Sequence, residues 1–190
     1  MTKYRMGIAA LLCGVLVGTA GLAQQKREMT PLDIPMIGDI EMLKVGDQAP
    51  VFVLDDVDGK TLDLGKEMSQ KVRLMVFWSI FCEPCKAEMP LIQRLYEDYR
   101  DQGLEVLAVA MDGEPMKKSI QGLIKQAGYT FRVFIDKLAE DESFLAADPY
   151  GVAGTPTLYV VGRDGKVLFA EVGRVSKDVI EKAVQKALAR

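Results

Sequence analysis

Residues 77–90 read FWSIFCEPCKAEMP, and the fold turns on how Cys82 and Cys85 in that stretch are placed. The run before them, Val72 to Trp78 (VRLMVFW), is almost continuously apolar, as expected of a strand buried on both faces. After them, Met89, Ile92, Leu95, Tyr96 and Tyr99 recur at three- and four-residue spacing, which predicts a helix with one apolar face, stopped by Gly103. Pro84 is tolerated in the first turn of that helix, whereas Pro90 falls inside it and predicts a bend. The two cysteines therefore stand where a buried strand gives way to a helix.

Upstream, VFVLDDVDGKTLDL (51–64) holds two strand-like runs around Asp58-Gly59, a hairpin signal. Downstream, EVLAVAM (105–111) is a second buried strand, EPMKKSIQGLIKQAG (114–128) a helix ended by Gly128, and FRVFID (131–136) a strand. LAEDESFLAADPYGV (138–152) reads as an irregular helix and loop. TLYVVG and KVLFAEV are strands joined by the turn Arg163-Asp164-Gly165. The last helix opens at Ser176, a favoured N-cap, and is expected to bury Val179, Ile180, Ala183, Val184, Ala187 and Leu188. Strands alternating with helices imply parallel βαβ units, and the closing hairpin adds antiparallel strands. The expectation is a three-layer α/β domain over residues 47–190, with a mixed central sheet and an extra N-terminal β-hairpin.

The first residues have another character. Lys3 and Arg5 precede an uncharged run, Met6 to Ala23, with small residues at Gly21 and Ala23. Residues 1–23 read as a secretory signal cleaved after Ala23, or as an uncleaved membrane anchor at the short end of spanning length. Cys13 is a poor lipid-anchor site because Leu12 before it is bulky. Residues 24–46 read as a linker, with room for a short ordered piece against the domain. Both readings place the domain outside the cytoplasm. The formal charge of −3, with no Lys/Arg cluster, argues against nucleic-acid binding.

Composition narrows the chemistry of the cysteines. The chain of 190 residues has three cysteines and no histidine. The haem-attachment pattern fails, since Lys86 follows Cys85, and a structural zinc site lacks its four ligands. No metal or other cofactor is expected, and Cys-His and Ser-His-Asp nucleophile schemes are excluded. A Cys82–Cys85 bridge closes a tiny loop of little entropic value to the fold, so the pair is better explained by chemistry. The helix amino end favours an anionic sulfur. Cys82, first in line, is then the attacking thiolate, and Cys85 resolves the mixed disulfide. Thr155-Pro156 precedes a strand. It reads either as a simple strand-start proline or as a cis bond that projects the Thr155 backbone beside the dithiol to meet substrate.

Taken together, FWSIFCEPCKAEMP, GVAGTPTLYVVGRDGKV (151–167) and the strand order resemble the thioredoxin superfamily. Within it they are similar to the exported TlpA/ResA-like thiol-disulfide oxidoreductases, over residues 47–190. The resemblance implies Cys82 as nucleophile, Cys85 as resolving thiol and a cis peptide at Thr155-Pro156. It also implies reduction of protein disulfides outside the cytoplasm, often of apocytochrome c, with electrons from a membrane thiol carrier. Two departures stand out. Phe81 occupies the place of a tryptophan, and Lys137 to Pro149 is longer and more acidic than usual, which leaves the choice of partner open.

Supporting residues carry paired readings. Glu88 shares a helix face with Cys85 and is either a proton handler for the thiols, as the resemblance implies, or a solvated helix glutamate. Glu83 and Pro84, between the cysteines, are candidates for redox tuning. The Glu83 charge would raise the Cys82 pKa and favour a reductant, unless water screens it. Trp78 is a candidate for substrate contact, set against packing under the helix. Glu105 is expected to stay solvated, and Asp112 and Glu114 to reach the site only if their loop folds inward. A peroxidase of the same fold is a rival. Its pattern needs proline at position 75, where Met75 stands, and only Ser79 matches. A non-catalytic binding module is the second rival.

Overall fold

The computed structural model describes residues 41–67 and 71–190. The leader at 1–23, Cys13 and residues 24–40 of the linker lie outside the described residues.

The apolar run forms β3 (Val72–Trp78), with every residue buried. It is the centre of a five-stranded sheet ordered β5-β4-β3-β6-β7. Here β4 is Leu104–Ala110, β5 Arg132–Ile135, β6 Thr157–Val161 and β7 Val167–Val172. Strands β3, β4 and β5 run parallel, while β6 and β7 pair antiparallel. The helices are α1 (Leu64–Glu67), a short one not anticipated, then α2 (Glu83–Tyr99), α3 (Lys117–Ala127) and α4 (Lys177–Leu188). The hairpin is observed as β1 (Val53–Asp55) against β2 (Thr61–Asp63), a separate two-stranded sheet whose turn uses Gly59 at a φ of 83°.

Alternation along β3 sends its side chains to two cores. Val72, Leu74, Val76 and Trp78 join Met89, Ile92 and Leu95 of α2 and Ile180 and Val184 of α4. Met75 and Phe77 face the other way, against Phe52, Leu54 and Leu62 of the hairpin region and Ala146, Ala147 and Tyr150. Helices α2, α3 and α4 thus cover one face of the sheet, while Leu64 of α1 packs on the other. The hairpin and the segment before β6 cover the other.

Several expectations are corrected. Glu105 is buried, because the parallel register sets it beside Arg73 and the two pair at 3.0 Å. Val179 is exposed, since α4 turns only Ile180, Val184 and Ala187 fully inward. Residues 138–149 form no helix. The buried Asp136 carboxylate accepts the N–H groups of Lys137, Ala146 and Ala147, and a side chain that captures backbone donors competes with a helix. No correction applies to the short ordered piece for which the linker reading left room: at residues 41–46, Met42 and Leu43 touch the second core, and the Gly46 N–H donates to the Val167 carbonyl at 2.8 Å.

Candidate active site

Cys82 is the N-cap of α2, with extended backbone, and its sulfur accepts the Cys85 N–H at 3.2 Å. One of the helix's unpartnered amino-terminal donors therefore points at the first sulfur, where it stabilises negative charge. Cys82 is half-buried, whereas Cys85 is 2% exposed and sits in the core beneath α2. The two are joined as a disulfide, with Cα atoms 5.2 Å apart. Phe81, immediately before Cys82, is 73% exposed.

The turn entering the helix is held from the neighbouring strand. Asp112, just beyond β4, accepts the Ser79 hydroxyl at 2.6 Å and the Ile80 N–H at 3.0 Å. Ser79 Oγ accepts the Phe81 N–H, and the Ser79 carbonyl accepts the Cys82 N–H. Every backbone donor from Ile80 to Cys82 is thereby satisfied. The loop carrying Asp112 does fold inward. Its role as a positioning residue had no signal in the sequence beyond a place at the carboxyl end of a strand.

Glu88 lies one helical turn behind Cys85 and is only 3% exposed, so it is not a solvated helix residue. Its Oε1 accepts the Val175 N–H at 2.8 Å, from the loop before α4, while Oε2 has no hydrogen-bond partner among the described residues. Burial holds its carboxyl above the ordinary carboxylate range, against the opposing pull of the Val175 hydrogen bond and the nearby Arg174. Trp78 is fully buried in the same core. Direct substrate contact by Trp78 is therefore corrected to packing, because both faces of β3 are covered. Glu83 and Pro84 are exposed, and Glu83 pairs with Lys86 one turn on. That cation offsets part of the charge that Glu83 places between the cysteines.

Thr155-Pro156 is a cis peptide. Its position follows from the sheet: Thr157 pairs with Phe77, so Pro156 lies level with the end of β3, where the dithiol turn begins. Pro156 is buried and Thr155 half-buried, and the Pro156 carbonyl accepts the Gly173 N–H at 2.7 Å. The structure thus brings Cys82, Cys85, Glu88 and the Thr155-Pro156 peptide to one end of the sheet. Among the described residues, no cluster of His, Cys, Asp and Glu is arranged to hold a metal ion.

Comparison with known proteins agrees with this geometry. The family model described as Redoxin matches residues 44–188. A curated relative from Geobacillus thermodenitrificans, thiol-disulfide oxidoreductase ResA, is 36% identical over 141 residues, covering 74% of this chain and 76% of the relative. The protein of the same name from Bacillus thuringiensis is 29% identical over 186 residues, 98% of each chain. Among solved structures, a thioredoxin-family thiol:disulfide interchange protein from Chlorobium tepidum superposes with a TM-score of 0.64. Its identity is 25%, covering 77% of this chain and 99% of that one.

Proposed function

Since this chain belongs to the Redoxin family and is a ResA-like thiol-disulfide oxidoreductase of the thioredoxin superfamily, we propose that it reduces protein disulfides outside the cytoplasm. The observation that carries this reading is the N-cap placement of a reachable Cys82 sulfur over a buried Cys85. The Cys82 thiolate attacks one sulfur of the substrate disulfide and forms a mixed disulfide, releasing the first substrate thiolate. Cys85, deprotonated, then attacks the Cys82 sulfur and closes the internal disulfide, and the second substrate thiol leaves. Two electrons pass to the substrate. Glu88, buried one turn behind Cys85, is suited to hold the proton that Cys85 gives up. The half-buried Thr155, held beside the dithiol turn by the cis bond to Pro156, offers its backbone to the substrate chain.

An apocytochrome c awaiting haem attachment is the substrate that the resemblance favours, and a membrane thiol carrier the electron donor. An extracytoplasmic site, on a released or N-terminally anchored protein, fits the apolar run at 6–23.

The test joins the two-electron reduction potential with trapping by Cys85→Ser. A potential below about −200 mV and accumulation of Cys82 mixed disulfides are expected. A potential near those of strongly oxidising enzymes overturns the direction. Rapid peroxide oxidation of Cys82 with no trapped substrate replaces the reading with a peroxidase.

A further inference from the structure

The acidic segment after β5 folds back on itself as a short arm. Leu138 and Phe144 face each other in an antiparallel bridge. The Leu145 N–H donates to the Lys137 carbonyl at 2.9 Å, and the Ala139 N–H to the Ser143 carbonyl at 2.8 Å. Glu142 closes the tip at a φ of 66°, a left-handed conformation that a non-glycine residue adopts only where its surroundings impose it.

At its base the arm walls a cavity of about 390 Å³. The facing wall is the loop 111–115, and Met111, Pro115, Leu138 and Phe144 supply the apolar lining. Leu138 is 58% exposed, a large apolar side chain left open to solvent. Trp78, Ala110 and Ile135 stand in register at the carboxyl ends of β3, β4 and β5. The dithiol turn, the 111–115 loop and the arm therefore emerge side by side, at the sheet edge where open α/β folds receive ligands. Asp112 joins cavity wall to dithiol turn through its bonds to Ser79 and Ile80.

Charge identifies the visitor. Glu140, Asp141 and Glu142 crown the arm, while Glu114 on the facing loop is paired with Lys117 at 3.2 Å. Lys137, the arm's single base, is engaged by Asp55 at 2.8 Å. Among the described residues, none of the three tip carboxylates has an ion-pair partner. An apolar slot at the base of an arm whose tip carries uncompensated negative charge suits an apolar side chain flanked by lysine or arginine, and disfavours acidic sequences.

We propose that this slot docks the substrate polypeptide through an extended segment in which an apolar residue adjoins a basic one. The purpose of the slot rests on the reductase reading, but its test does not. Two labelled, cysteine-free peptides, one alternating lysine with leucine and one alternating glutamate with leucine, are titrated with the oxidised full chain at low salt, and anisotropy is read. The basic peptide is expected to bind and the acidic one not. The triple variant Glu140→Gln, Asp141→Asn, Glu142→Gln and the single variant Leu138→Ser are each expected to weaken the basic peptide about tenfold. Equal affinity for the two peptides, or variants that bind like the parent, overturns the proposal. Reduction of bis(2-hydroxyethyl) disulfide, small and uncharged, reports the dithiol separately. The variants should match the parental rate, and loss of that rate would reassign the arm to the catalytic machinery and overturn a docking role. Failure of the parent itself on this disulfide would sink the reductase reading while leaving the peptide result standing.

Discussion

Glu88 shows how one residue changes meaning between sequence and structure. Its spacing from Cys85 is visible in the sequence, but its burial is not, because the elements that cover it are distant in the chain. Val175, whose N–H it accepts, is such a neighbour. Burial raises the Glu88 pKa in the folded state above its ordinary 4.5. The folded protein then holds this proton more tightly than the unfolded chain does. That contribution to stability is fully present below the ordinary value and is lost as pH rises through the raised folded value. Glu88→Gln removes the titration. Plots of denaturation midpoint against pH for the two proteins are therefore expected to differ, with the native one falling more steeply across that window. Asp136, also raised by burial, is common to both and cancels in the comparison. Parallel curves would show that Glu88 does not titrate differently on folding. Cys82 and Cys85 were legible because an otherwise apolar strand-to-helix junction has few other uses for such a pair. Asp112 was not, because its hydrogen bonds span more than thirty residues of sequence.

Strand pairing decides the next level. The parallel register of β3 and β4 sets Arg73 beside Glu105, and both are buried with Lys71 close by. The Arg73 guanidinium also donates to the Glu67 carbonyl at 2.6 Å, which ties α1 to the sheet. Replacing Glu105 takes the cross-strand carboxylate from the buried Arg73 and from Lys71. Glu105→Leu is expected to cost about 3–5 kcal/mol in chemical denaturation. A cost under about 1 kcal/mol would mean that water or Glu67 suffices for Arg73. The elements themselves were readable where periodicity and turn chemistry agree, as in the β1–β2 hairpin around Asp58-Gly59. They were unreadable at 138–149, where Asp136 gathers the backbone donors that a helix would have used.

For the whole molecule, the redox pair and the fold are linked. A dithiol that serves as a reductant has a potential below that of the same pair in the unfolded chain, so the folded protein is more stable oxidised than reduced. The loop between the cysteines is small, and the chain-entropy contribution of closing it is about 2 kcal/mol at most. Urea unfolding of the oxidised protein is expected at the higher midpoint, by a margin of that order. A more stable reduced form would mark the protein as an oxidant, whose thiolate the fold protects.

The sequence by itself determined the alternation of buried strands and helices, the hairpin, the dithiol and the exclusion of histidine chemistry. These follow from local pattern and composition, which need no knowledge of distant neighbours. Only the tertiary structure decided that Glu88 and Glu105 are buried, that Asp112 braces the dithiol turn, that Trp78 packs inward, and that the acidic segment stands as an arm beside the site. Each depends on which segments the sheet register brings together, and burial and pairing are set by those partners rather than by the residue's own neighbours in the chain. FWSIFCEPCKAEMP names the chemistry, and the edges of β4, β5 and β6 shape the place where it happens.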